Sequence, residues 1–348
     1  DFTMTGGKIE AGWFAVAGNG NYKTQNSIIN ITDGELISTA DYAVYLPQSG
    51  TTTISGGKVY GAAGGVCIQR GTLNVEGTAL ITSKGTGSTG NWGDGTGGLD
   101  CAAINVSGAY GIATVNIKGG TLIAEAKSLI TEGTTYTPVI NVTGGTFSDP
   151  SVLKYMATNA TVDIKLLSNI NIAKTELATG YILNAANATA NLNLNGHDII
   201  NSSETADATP FTQIFTVQNG TLNISGNGNV KCDASATAKD DGYRMVIEAR
   251  GYGTVNIHGG SYYNTQKLNT QIDLIYAREN GKINIYGGTF ESGKYGTPNN
   301  DTDGRYWVLN LKNTDKNTAS IQVSGGTFIN FNPANPNMDD NESYLVTG

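Results

Sequence analysis

Arg250 and Arg278 each stand nine residues before the first glycine of a Gly-Gly pair, Gly259 and Gly287. Two positions ahead of each arginine are Glu248 and Tyr276. Residues two apart in an extended chain share a face. With Ile247, Ala249, Ile275 and Ala277 pointing inward, all four side chains would project from one outer surface. Guanidinium groups on neighbouring strands, roughly 5 Å apart, repel unless a carboxylate or a ligand anion lies between them. Two readings follow: a diagonal Glu248–Arg278 salt bridge on a solvated face, or a contact for an acidic sugar with Tyr276 as its stacking platform.

Other residue sets hint at chemistry without completing it. Asn299, Asp301 and Asp303, followed by Gly304, have the N-x-D-x-D-G form of a loop that turns alternate oxygens onto calcium. Asn310, not glutamate, fills the twelfth position, so this is no EF-hand. No cofactor is required, and calcium is the one ion a loop fits. A second acidic loop, 91–100 with Asp94, is weaker. Asp240 and Asp241 are adjacent acids of the kind glycoside hydrolysis uses in pairs. The two histidines, His197 and His258, fall in repeat turns with no partner dictated by spacing. Cys67, Cys101 and Cys232 match no zinc spacing, and three thiols cannot all pair within one chain. Cys67, in the apolar run GVCIQ, reads as a small buried residue. No catalytic residue is assigned, and the chain reads as a non-enzyme more readily than as a polysaccharide lyase or hydrolase.

The elements that must position these residues come from one recurring phrase. It reads VNIKGGTL at 115–122, INVTGGTF at 140–147, VNIHGGSY at 255–262, INIYGGTF at 283–290 and IQVSGGTF at 321–328. Degraded copies begin at Phe2, Ile29, Thr52, Leu73, Leu192 and Leu222. Spacings of about two to three dozen residues, each with one short strand and a tight turn, are the mark of a solenoid. Alternation buries Val115 and Ile117 and exposes Asn116 and Lys118. Gly-Gly permits positive φ and a sharp corner. The next apolar residue (Leu122, Phe147, Tyr262, Phe290 or Phe328) then points inward, which predicts an internal aromatic stack. Stacking at about 4.8 Å would make roughly 12 to 15 coils a rod on the order of 60–70 Å long. Asn30, Asn74, Asn116, Asn141, Asn193, Asn223, Asn256 and Asn284 would form outward ladders, either bonded amide to amide or offered as a ligand-binding comb.

This pattern resembles the right-handed parallel β-helix of the pectin-lyase-like superfamily. NLNLNGHDII at 191–200, TVQNGTLNISGNG at 216–228 and VSGGTFINFNP at 323–333 resemble β-helix repeats in surface proteins of gut bacteria and their phages. The resemblance implies an all-β, right-handed parallel β-helix of roughly a dozen or more coils. It does not choose among the lyases, hydrolases, adhesins and phage fibres that share the fold. The polygalacturonase elements Asp-Asp, Gly-His-Gly and Arg-x-Lys are met only by Asp240-Asp241. His258 occupies a routine Ile-His-Gly-Gly turn.

Composition bounds the rest. The 348 residues include 47 glycines and only 14% charged residues, which suits a folded, turn-rich chain. A net charge of −8 with no Lys/Arg cluster argues against nucleic acid as a partner. No apolar run nears the roughly 18 residues that span a bilayer. The chain opens inside a repeat, at Asp1-Phe2-Thr3, which reads as an excised fragment whose export signal would lie upstream. Where the repeat lapses after Phe147 we place a junction, 149–159, between β-helical blocks 1–148 and 160–331, followed by an irregular tail, 332–348. A short helix or turn at 151–156 would be capped by Ser148 or Asp149. The expected function is an extracellular stalk or adhesin-like module on a bacterial envelope or phage tail. It would bind a polysaccharide or host-surface glycan weakly and multivalently through Glu248, Arg250, Tyr276 and Arg278, with oligomerisation left open. The alternative is a polysaccharide-degrading enzyme such as a phage depolymerase.

Overall fold

Gly-Gly corners and alternating strands build coils that stack in parallel. The computed structural model describes residues 1–18, 26–84, 101–124, 128–172, 180–201, 211–232, 243–264, 272–291, 306–336 and 343–346. Asp94, Asp240, Asp241, Asn299, Asp301 and Asp303 lie outside them. The chain divides into two compact units, Asp1–Ile164 and Lys165–Gly348. Both are all-β, and every strand ladder within them is parallel. Each unit is a parallel β-helix.

In the first unit three ladders wind round one core. The first stacks Ile29, Thr52, Leu73, Val115 and Ile140 in register, beginning at Phe2. The second runs from Ile9 through Leu36, Val59, Ile81, Leu122 and Phe147 to Ile164. The third joins the strands Val16–Ala17, Tyr42–Leu46, Gly64–Ile68, Ala102–Val106 and Ser128–Glu132. Cys67 and Cys101 are buried in a cluster with Tyr42, Tyr45 and Ala63. Near the end of the unit, Pro150–Tyr155 is a 3-10 helix, and Asp149 Oδ1 caps it by accepting from Ser151 N at 2.7 Å. Desolvation of the partly buried Asp149 carboxyl raises its pKa above its ordinary value.

In the second unit the strands Phe211–Ser225 and Tyr243–Ile257 are long enough to cross a corner and serve two faces each. A second ladder carries Ile172, Asn201, Cys232 and Asn264 on one side of the strand direction, with Ile199, Val230, Tyr262, Phe290 and Phe328 stacked along the core. The expected aromatic stack forms. Tyr262 and Phe290 lie 5.1 Å apart at 8°, and Phe290 and Phe328 lie 5.0 Å apart at 15°. These offset parallel rings fill the interior at one ring per coil.

The two glycines of each corner answer different needs. The second takes the left-handed conformation: φ is +78 at Gly120, +90 at Gly260 and +108 at Gly288. The first is excluded from bearing a side chain by the coil beneath. A Cβ on Gly287 would sit 2.8 Å from the carbonyl oxygen of His258. At strand separation the backbone beneath leaves no room for a side chain at Gly287.

Candidate functional site

The four sequence-selected residues meet on the second unit. Thr216, Glu248, Tyr276 and Asn310 occupy one column on successive coils. Ile247, Ala249, Ile275 and Ala277 are fully buried between them, so the alternation places Glu248, Arg250, Tyr276 and Arg278 on the outer side. Arg278 N donates to Ala249 O at 3.1 Å, and this holds Arg250 and Arg278 on adjacent rungs. Lys312 N donates to Ala277 O at 3.0 Å, which makes Lys312 the third cation of that column. Counting back from the glycines misses Lys312, because the 3-10 turn Asn313–Asp315 lengthens its coil.

Although it faces outward, Glu248 is only 1% exposed. Its Oε1 accepts from Arg278 Nε at 2.7 Å. Its Oε2 accepts from Gln213 Nε2 at 2.9 Å; Thr216 Oγ1, which donates to Gln213 Oε1 at 2.8 Å, stands 3.5 Å from it and Arg250 Nε 3.9 Å. The carboxylate is enclosed, and both of its oxygens are already turned onto protein donors. Arg278 also pairs through Nη1 with Glu279. Glu279 adopts φ +60, accepts from Gly251 N at 2.9 Å, and donates its own N–H to Asp315 Oδ2 at 2.7 Å. That N–H, together with Thr314 and Lys312, holds the Asp315 carboxyl below its usual range. Burial, reinforced by the Asp273 carboxylate, pushes the Tyr276 phenol up to about 12. Tyr276 is therefore neutral throughout the physiological range. Asp273 is itself buried and accepts from Asn310 Nδ2 at 2.9 Å.

The patch is charge-balanced: Arg250, Arg278 and Lys312 face Glu248, Glu279 and Asp315. The salt-bridge geometry is formed, and Arg250, 32% exposed in its side chain, is the cation with the longest ion-pair distance. Sequence spacing brought Arg250 and Arg278 into register. It gave no signal for Gln213, Thr216 or Glu279, whose roles depend on neighbouring coils.

The asparagine columns form a second outward feature. In the first unit Asn116 donates to Asn74 at 3.0 Å and Asn141 to Asn116 at 3.1 Å. In the second, Asn223 donates to Asn191 at 2.8 Å, Asn256 to Asn223 at 2.8 Å and Asn284 to Asn256 at 2.8 Å. Asn193, expected in this ladder, is not a member. Register shifts in the strand Tyr181–Asn193, where Asn187 takes φ +56, move the pairing so that Asn191 faces Asn223 and Asn193 faces Ser225. Neither histidine is hydrogen-bonded to a carboxylate among the described residues. Those residues also hold no cluster of three or more His, Cys, Asp or Glu side chains able to bind a metal, and no helix long and apolar enough to cross a membrane. The calcium-loop residues Asn299, Asp301 and Asp303 are outside the described set.

No protein-family model, curated protein or solved structure matches the chain.

Proposed function

We propose that the protein is a rigid β-helical presentation module, stalk-like or adhesin-like, that works outside the cell on a bacterial envelope or a phage tail. In this reading its outer columns make weak, repeated contacts with glycan, and pectin-lyase-like ancestry accounts for its Gly-Gly coils. The observation that carries the reading is the amide column Asn191–Asn223–Asn256–Asn284, which sets the same donor and acceptor groups outside on successive rungs. A surface that repeats along one axis suits a ligand that repeats along its own, and many weak contacts then act together through effective concentration. Glu248, enclosed and engaged by Arg278 and Gln213, favours binding over catalysis at the Arg250–Tyr276 patch. An acidic sugar would be met there chiefly by Arg250, with weak and salt-sensitive affinity.

The test is a panel of neutral and acidic polysaccharides immobilised at several densities, with product release assayed in parallel. Density-dependent retention without release of reducing ends or unsaturated products is the expected result. Turnover of any of them by the protein would instead establish the degrading-enzyme alternative, and failure to retain any polysaccharide would remove the glycan reading.

A further inference from the structure

His258 and Tyr286 form an aromatic pair on the outside of the second unit. The rings lie 4.8 Å apart at 8°, parallel and one coil apart, and Tyr286 is 50% exposed. Their column is defined by the backbone. His258 N donates to Ile224 O, Tyr286 N to Ile257 O and Ser324 N to Ile285 O, each at 2.8 Å. Ser225, His258, Tyr286 and Ser324 thus stand on consecutive rungs just before the glycine corner.

Coil packing does not ask for a ring at this slot. The equivalent position in the first unit is Ser55, Glu76, Lys118 or Thr143, whose N–H groups bond to the coil below in the same way. Those residues are polar and differ in size and charge, so the slot tolerates many side chains. An exposed ring also gains little of the burial that explains Tyr262, Phe290 and Phe328 inside. The stack is closed on both sides by serine. The face of Tyr286 away from His258 is on the side of the next rung, where only the hydroxymethyl group of Ser324 stands.

Hydrogen-bonding groups flank that gap. Asn284 and Gln322 precede Tyr286 and Ser324 by two residues, on the same outer face and in register with each other. Asn284 donates to Asn256, while its Oδ1 is offered no donor among the described residues. Gln322 is exposed, and its side chain makes no hydrogen bond among the described residues. A flat apolar surface beside uncharged amides and a hydroxyl suits a ring with one C–H face and a rim of hydroxyls. A purely apolar partner would leave the amides unmatched, and an anion would find no cation in this group.

We propose that Tyr286, backed by His258, is the stacking platform for one sugar ring of a neutral glycan. The ring would sit over Ser324 as the next member of the stack, with Asn284 and Gln322 bonding its hydroxyls. This rests on the glycan-presenting reading and names its seat and ligand class.

The test is NMR titration of the protein with neutral oligosaccharides of glucose, mannose, galactose, xylose and N-acetylglucosamine. Binding should shift the ring protons of Tyr286 and His258. Tyr286→Ala should weaken it at least about fivefold, the scale of one lost aromatic contact, whereas Tyr286→Phe should retain it. Ser324→Tyr should weaken binding as much, because its own ring would occupy the seat while Tyr286 remains. Thermal unfolding of each variant confirms the fold. Unchanged affinity in Tyr286→Ala and Ser324→Tyr overturns the platform, and retention of polysaccharide by those variants would leave the broader reading intact. A wild type that binds none of these neutral sugars also overturns the platform, and the polysaccharide panel then decides whether the broader reading falls with it.

Discussion

Arg278 and Glu248 are 30 residues apart in the chain and 2.7 Å apart in the fold, Nε to Oε1, across one coil step. The carboxylate is buried and the guanidinium is 24% exposed, so the arginine acts as a lid over a charge that neighbouring coils have already enclosed. Glu248 lies on the outer side of its strand. Gln213 and Thr216 below and Arg278 above remove it from water, and the ion pair ties three coils together.

Removing the lid should therefore cost stability. Arg278→Ala leaves Glu248 enclosed with its main charge partner gone. We expect a loss of about 2–4 kcal/mol, at or below the range for a fully buried pair because Arg278 keeps some solvent contact. Glu248→Gln in the Arg278→Ala background should recover much of it. Urea unfolding of the two single variants and the double variant measures this directly. Additive losses would show that the pair is not coupled.

The cap at Asp149 carries a pH dependence of known sign. A carboxyl whose folded pKa is raised binds its proton more tightly in the folded protein. Its stabilising contribution is thus present at low pH and lost as pH rises through the folded value. Asp149→Asn keeps a capping oxygen without the charge. It should be more stable than wild type at pH 7, and the gap should narrow in acid. Asp149→Ala loses the bond to Ser151 N and should cost about 1 kcal/mol. Thermal melts between pH 4 and 8 separate the two effects.

Glu132 should show the opposite trend. Burial pulls its pKa up, but hydrogen bonds from the Tyr155 hydroxyl and from Lys154 Nζ at 2.9 Å outweigh burial and hold it below the usual value. The stability it contributes is present above the unfolded pKa and lost as pH falls through the folded one. Tyr155→Phe should move the onset of acid unfolding to higher pH. An acid transition identical to wild type would show that the phenol does not set this carboxylate.

The inner and outer ladders should differ sharply in energetic weight. Phe290→Ala removes the fully buried middle ring of the stack and should cost about 3–5 kcal/mol. Asn256→Ala breaks two amide bonds on a half-exposed face and should cost about 1 kcal/mol. Equal losses in denaturant unfolding would mean that the amide column bears structural load comparable to the core.

What the chain determined by itself was everything set by neighbours a few residues away. The Gly-Gly corner, the alternation of Val255 and Ile257 with Asn256, and the inward return of Tyr262 are consequences of φ preference and strand pleat. They could be read before any contact was known. Arg250 and Arg278 could be brought into register for the same reason, since both coils reach their corner in the same number of residues. Contacts between coils were decided only by the tertiary structure. Asn191 replaced Asn193 in its ladder because extra residues at a corner shifted the register, and Lys312 joined the cation column through a turn that counting cannot see. The burial of Glu248 is the sharpest case. Strand parity puts it outside, yet Gln213, Thr216 and Arg278, each about one coil away in sequence, enclose it. In a stacked solenoid a side chain's face is set by its own strand, while its solvent and its charge partners are set by the coils above and below.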